Sequence, residues 1–177
     1  MRRLALAIAL IWAATAVTAQ DLATMVADQV EIAQDSRLIA SGNVEVLYQG
    51  DRVKAQVIEY DSEAESLRIE GPLTITSADG NTVFFASSAE LSQDLRNGIL
   101  TSARLVLDQQ LQLAATEINR VDGRYTQLYR TVASSCHVCA ARPTPLWQIR
   151  AQRIIHDEEE RQIYFENARF EVMGIPV

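Results

Sequence analysis

The residues best suited to chemistry are Cys136 and Cys139, the only two cysteines, with His137 between them. A Cys-x-x-Cys pair serves as a redox couple, half a zinc site, a haem attachment or a structural disulfide. The redox use needs a βαβ context with the first cysteine at a helix N-terminus, and nothing between Ser134 and Pro145 supplies one. Zinc needs four ligands, and His156 is the only other histidine. Haem attachment needs histidine directly after the second cysteine, where Ala140 stands. A disulfide is the ordinary fate of cysteines in an oxidising compartment. Closing so short a loop on itself stabilises little, whereas a loop of roughly 100 residues is worth about 4.7 kcal/mol in the chain-entropy model. The partners of the two cysteines stay open.

Other candidates are weaker. His137 beside Cys136 suggests a nucleophile and a base, but adjacent residues rarely meet productively and no third orienting group can be named. The run Asp157-Glu158-Glu159-Glu160 suggests a cation site and reads more simply as a solvated hairpin turn. No glycine-rich phosphate loop, paired-carboxylate signature or helix-borne metal motif is present. The expectation is a protein that is no enzyme and that uses no metal and no cofactor.

What would position these residues is a repeated β-unit. Ala55-Gln56-Val57-Ile58 has counterparts beginning at Ala27, Ala86, Ala115 and Ala151, at spacings of 28, 31, 29 and 36 residues. Self-similarity at a period of roughly 20–50 residues marks a repeat architecture. Between the alanine motifs lie short alternating runs such as Val44–Tyr48, Leu67–Ile69, Leu73–Thr76, Leu105–Leu107, Leu111–Leu113 and Gln162–Phe165, the pattern of half-buried strands. Ser41-Gly42-Asn43, Gln49-Gly50-Asp51, Asp79-Gly80-Asn81, Asn97-Gly98 and Asp122-Gly123 separate them with turn chemistry. In a regular strand Ala55 and Ile58 point to opposite faces; a bulge or corner between them puts both inside. The spacing therefore predicts an all-β, stacked antiparallel jelly-roll in which each unit is a strand, a bend, a strand and a return. One unit closes no core alone.

Residues 1–19 read as a signal peptide: Arg2-Arg3, an apolar stretch from Leu4 to Val17, and small residues before cleavage between Ala19 and Gln20. The apolar stretch is shorter than the roughly 20 residues a spanning helix prefers. Export to the periplasm follows. Residues 20–172 then form one domain large enough for a real core. The chain holds 16 basic and 23 acidic residues, a formal charge of −7 that becomes −9 without Arg2 and Arg3. Such a balance excludes nucleic acid as a partner, since phosphate backbones need a basic surface. Residues 132–146 interrupt the repeat and lengthen its last interval. The apolar end, residues 173–177, reads as the start of a connection to further sequence.

Ser41–Val46 with the Ala55 motif and Leu67–Gly71 resembles the OstA-type repeat of lipopolysaccharide-transport proteins. The loop Cys136–Cys139, with Pro145–Ala151 and Ile154–Asp157, resembles more specifically the N-terminal domain of outer-membrane lipopolysaccharide-assembly proteins of the alphaproteobacterial kind. The resemblance covers residues 20–177. It implies a V-shaped stacked jelly-roll at the periplasmic face of the outer membrane, which receives lipopolysaccharide from a periplasmic bridge protein and passes it to a β-barrel. That barrel, and the outer-membrane lipoprotein that engages it, lie outside this sequence. The resemblance also implies disulfides from this domain to the barrel, with Cys136 and Cys139 as the matching candidates.

A slot left open along one side would hold acyl chains and leave sugar and phosphate in water. At roughly 0.8 kcal/mol per buried methylene, a chain of about ten carbons gains on the order of 8 kcal/mol without any basic pocket. The expected slot residues are Val46, Tyr48, Ile69, Ile75, Phe85, Leu107, Leu113, Ile149, Ile163 and Phe165. The free edge of the first repeat is expected to accept the last strand of the bridge protein's jelly-roll. Two other readings fit the same residues: a soluble periplasmic carrier of the same pathway, and an envelope scaffold that binds no lipid.

Overall fold

The computed structural model describes residues 23–33, 36–136 and 145–177. The signal peptide, with Ala19 and Gln20, lies outside them, as do His137 and Cys139. Every regular element among the described residues is a strand: β1 (Thr24–Val26), β2 (Gln29–Ile32), β3 (Arg37–Tyr48), β4 (Asp51–Asp61), β5 (Ser66–Thr76), β6 (Thr82–Ser92), β7 (Gly98–Leu107), β8 (Leu111–Val121), β9 (Tyr125–Ser134), β10 (Trp147–Asp157), β11 (Gln162–Glu166), β12 (Arg169–Val172) and β13 (Ile175–Pro176). They form one antiparallel sheet in which β3 to β10 follow each other in chain order. β1 and β2 both pair with β3, and β11 and β12 both pair with β10, so each of these couples is one bent strand broken at its bend.

The bend is where the alanine repeat predicts it. The β3–β4 register shifts between Ser41 and Val44, the β4–β5 register between Lys54 and Val57, and the β5–β6 register between Glu70 and Leu73. From β6 onward the ladder is interrupted along the same line, as between Phe85 and Ser88. Ala55 with Ile58, Ala86 with Ala89, and Ala151 with Ile154 are all buried despite their three-residue spacing. On the intervening strands the corner falls at residues in the left-handed region, Gly42 and Asn43, Ser102 and Arg130.

The corner divides the sheet into two arms that face one another, and each arm lays down a continuous apolar row. In one arm the cross-strand partners run Val30, Ala40, Ile58, Ile69, Ala89, and on through Leu100, Ile118, Leu128 and Ile154 to Phe165. In the other they run Met25, Val46, Val53, Ile75, Phe84, and on through Leu105, Leu113, Ala133 and Ile149 to Phe170. The middle members are sealed from water, whereas Val30, Phe165 and Phe170 at the ends are exposed. Gly98 sits where the first arm turns polar: a Cβ there would lie 2.1 Å from the Glu90 carbonyl oxygen, so the position accepts only glycine.

Residues 173–177, read above as the start of a connection to further sequence, pair along β12. Ile175 and Pro176 pair with Val172 and Glu171, and the Val177 N–H donates to the Phe170 carbonyl at 3.1 Å.

Truncating a middle member of a row leaves a void that both arms line. Leu100→Ala is expected to lower unfolding free energy by about 2–5 kcal/mol in urea titration, whereas the same change at exposed Leu47 moves the midpoint little.

Candidate functional site

The interior between the arms is the candidate site, and it is not one uniform slot. At the β1 end a cavity of about 640 Å³ opens between the arms, lined by Met25, Val46 and Tyr48 from one arm and Leu38, Tyr60 and Leu67 from the other. Leu95, at positive φ in the turn after β6, folds back as part of its wall. Between the middle strands the two rows meet: Ile75, Phe84, Leu105 and Leu113 are at most 2% exposed, and beside Ile75 and Phe84 only a polar gap of about 230 Å³ remains, against Leu95, Arg96 and Arg120. Farther along, the gap between the hairpin ends of the arms is polar. Asp51, Asp79 and Asp108 face His156, Glu158 and Arg161 across a cavity of about 720 Å³.

The polarity change follows the second inward row of the first arm. Its cross-strand partners run Ile32, Leu38, Tyr60, Leu67 and Leu91 up to Gly98, then Arg120, Thr126 and His156 before Ile163. Arg120 places its guanidinium 5.0 Å from the centroid of the Phe84 ring, close enough for cation–π attraction. Burial pushes the His156 imidazole below its ordinary value, and its Nδ1 has no hydrogen-bond partner.

The expected slot residues divide accordingly. Val46 and Tyr48 line the apolar mouth, and Ile69 stands behind them, fully buried. Ile75 and Leu113 are packed in the closed middle, so an open slot along the whole side is not what the chain forms. Leu107 and Ile163 border the polar cavity. Ile149 is the last member but one of its row, before Phe170, and Phe165 ends the other row, 39% exposed. Phe85 departs from the set: Phe84 next to it points inward, so Phe85 faces outward, where the Arg104 guanidinium lies 4.7 Å from its ring centroid. Sequence reasoning did not single out Leu38, Tyr60, Leu67 or Leu95 for the mouth; Leu67 was legible as a strand residue, while Leu95 sits in a turn and carries no strand signal.

The turn at 157–161 is tied down rather than merely solvated. Arg124 grips Asp157 through Nε and Nη2 at 3.2 and 2.8 Å and Glu159 at 2.8 Å. The backbone N–H groups of Glu159 and Glu160 donate to the same Asp157 carboxylate at 3.1 Å. These contacts, the Arg124 hydrogen bond foremost, hold the Asp157 carboxyl below the usual carboxylate range and raise the Arg124 guanidinium further. At the opposite end of β10, Glu171 accepts from Gln148 at 2.6 Å, Arg150 at 2.9 Å and Arg169 at 3.1 Å, and is likewise depressed. Cys136 carries a half-buried free thiol, lowered chiefly by a backbone hydrogen bond from Trp147. Among the described residues no group of three His, Cys, Asp or Glu side chains is placed to hold a metal ion, and no helix is long and apolar enough to cross a membrane.

Comparison with known proteins turns on one relative. The LPS-assembly protein LptD of Aliivibrio fischeri is 24% identical over 151 residues, which take in 85% of this chain and 19% of that protein. The resemblance read from the sequence is borne out: this chain is similar to LptD. It spans about a fifth of that relative's length. No protein-family model matches. Among solved structures, the crystal structure of LptH from Pseudomonas aeruginosa is similar over 82% of each chain at 10% identity and a TM-score of 0.33. LptH is described as the LptA-homologous periplasmic component of a lipopolysaccharide transport device. The all-β fold expected from the repeat stands on this chain's own strand order and corner.

Asp157 is depressed in the folded chain, so its contribution is fully present above the ordinary carboxylate range and is lost as pH falls through its folded value. Urea midpoints measured on acidification should therefore drop steeply in the native sequence and less steeply in Asp157→Asn, which starts lower.

Proposed function

We propose that this chain is the periplasmic part of an outer-membrane lipopolysaccharide-assembly protein. Exported by its signal peptide, it sits at the periplasmic face of the outer membrane. There it takes lipopolysaccharide from a bridge jelly-roll, shields acyl chain between its arms and delivers it to a β-barrel that an outer-membrane lipoprotein partner engages. The observation that carries the reading is the apolar mouth at the β1 end, a cavity wide enough for hydrocarbon and continuous with the rows behind it. Acyl chain entering there meets Leu38, Val46 and Leu67 and gains roughly 0.8 kcal/mol per buried methylene. No covalent chemistry is asked of the protein. The similarity to LptD supplies the class of cargo.

The mouth lies between β1 and β2, the two outermost strands at this end, and in β2 Val30 and Ile32 are 50% and 80% exposed. An unpaired edge next to an unfinished apolar row is a template for another chain's strand. The last strand of the bridge protein's jelly-roll adds here and joins its own interior to the mouth. Passage beyond the mouth needs the middle of the arms to part. Their sealed packing favours a second reading, in which the domain is a scaffold joined end to end and lipid never enters. Disulfides from Cys136 and Cys139 to the barrel belong to the first reading.

Photo-crosslinking residues placed at Tyr48 and Leu67 should capture lipopolysaccharide in cells, and one at outward-facing Phe85 should capture far less. Equal labelling at all three sites, or none at the mouth, would favour the scaffold. Glu31, in the centre of β2 opposite Ile39, tests the edge: Glu31→Pro should abolish capture of the bridge protein while circular dichroism and the urea midpoint stay near those of the parent. Undiminished capture would remove edge addition.

A further inference from the structure

A second concavity lies on the outer side of the corner near β12, away from the mouth and the open side of the arms. Its volume is about 400 Å³, and Arg130, Arg150 and Arg169 all border it, with Thr131, Gln152 and Asn167. Three guanidinium groups share one notch in a chain whose formal charge is −7. Their only carboxylate is Glu171, which serves Arg150 and Arg169 together. Arg130 has no ion-pair partner among the described residues. Two positive charges therefore stand uncompensated.

The arginines stand on the outward face of the ladder, where Arg150 lies between Val132 and Arg169; Thr131, opposite Ala151, turns inward beneath the notch. The Gln152 carbonyl oxygen already accepts from the Asn167 amide at 2.7 Å, which fixes both side chains on the far wall. Arg130 adds a further sign. Its backbone lies at φ 50°, as the corner requires of this strand, but the equivalent corners carry Asn43 and Ser102. Arginine is not needed for the bend, and the left-handed region suits it less than asparagine. What it brings is a planar fork of donors.

We infer that this notch binds a phosphate-bearing anion, held by Arg130, Arg150 and Arg169. Phosphate suits the set better than a simpler anion because guanidinium forks engage it bidentately and its oxygens accept several donors at once. The same chemistry is offered by free phosphate and by a phosphorylated lipid headgroup. The site is separate from the mouth, and neither depends on the other.

The test has two arms on the mature chain. In the first, inorganic phosphate is titrated while the side-chain amide NMR signals of Gln152 and Asn167 are followed. Saturable shifts are expected, and Arg130→Gln should weaken binding about tenfold, the loss of one charge-assisted hydrogen bond. Arg68→Gln, an exposed arginine elsewhere, should change nothing, and Arg169→Gln should weaken binding with the fold retained. In the second arm the chain is floated with phosphatidylcholine vesicles with or without phosphatidic acid. Retention only with phosphatidic acid, lost in Arg130→Gln, assigns the phosphate to a lipid; phosphate binding without retention assigns it to a free anion. Shifts that never saturate, or that Arg130→Gln leaves unchanged, would mark an adventitious ion only and overturn the site.

Discussion

The structure depends on one geometric constraint: a single antiparallel sheet has to bury two of its own surfaces against each other without a second sheet to help. A flat sheet of this connectivity would leave one apolar face in water. Bending every strand at the same line turns the problem into its solution, because the two halves of each strand become opposing layers. The bend needs small residues where the layers converge, and Ala55, Ala86 and Ala151 occupy it with less than a tenth of their surface exposed. It also needs residues that tolerate the left-handed region on the alternate strands, met by Gly42, Asn43 and Ser102. Larger side chains at the alanine positions would wedge the arms apart along their whole length.

Because the strands follow one another in order, each apolar row is as long as the sheet is wide. A row of this kind has no natural end. Burial of each member comes from its neighbours on both sides, so the last member at either edge is half-finished. Val30 at one edge and Phe165 and Phe170 at the other are exposed for this reason and not from faulty packing. The same logic explains why the only apolar cavity between the arms, among those described, lies at the β1 end: the short β1 and β2 supply too few side chains to close it. An architecture that propagates by nearest-neighbour contacts is left with adhesive ends and a filled middle.

Much of this was legible in the sequence, and the failures have identifiable causes. The three-residue spacing from Ala55 to Ile58 contradicts a regular strand, and that contradiction located the corner. Turn residues placed the hairpin ends. Facing was harder. Val83-Phe84-Phe85-Ala86 is apolar throughout, so alternation gives no parity, and a one-residue error exchanges inside for outside; Phe85 was placed inside for that reason. Arg120 and His156 point inward although their polarity reads as outward, because only cross-strand register brings them beside Phe84 and Ile163. The basic notch has no linear signal: Arg130, Arg150 and Arg169 are evenly scattered and converge only through the β9–β10–β12 ladder.

If the proposed function holds, the closed middle bears on how lipid would pass between the arms. Ile75, Phe84, Leu105 and Leu113 gain from each other much the same burial that an acyl chain would offer them. Replacing protein–protein contact with protein–lipid contact in the rows therefore changes the apolar area in water rather little, since hydrophobic gain follows area and not partner identity. The cost of parting the arms falls instead on the polar margin. Arg120 would leave the Phe84 ring, and Asp108 and His156 would separate across the 720 Å³ gap, where water is already at hand to solvate them. The apolar interior is thus the part that exchanges contacts most cheaply, and resistance to opening sits in the few polar and aromatic contacts along the rim.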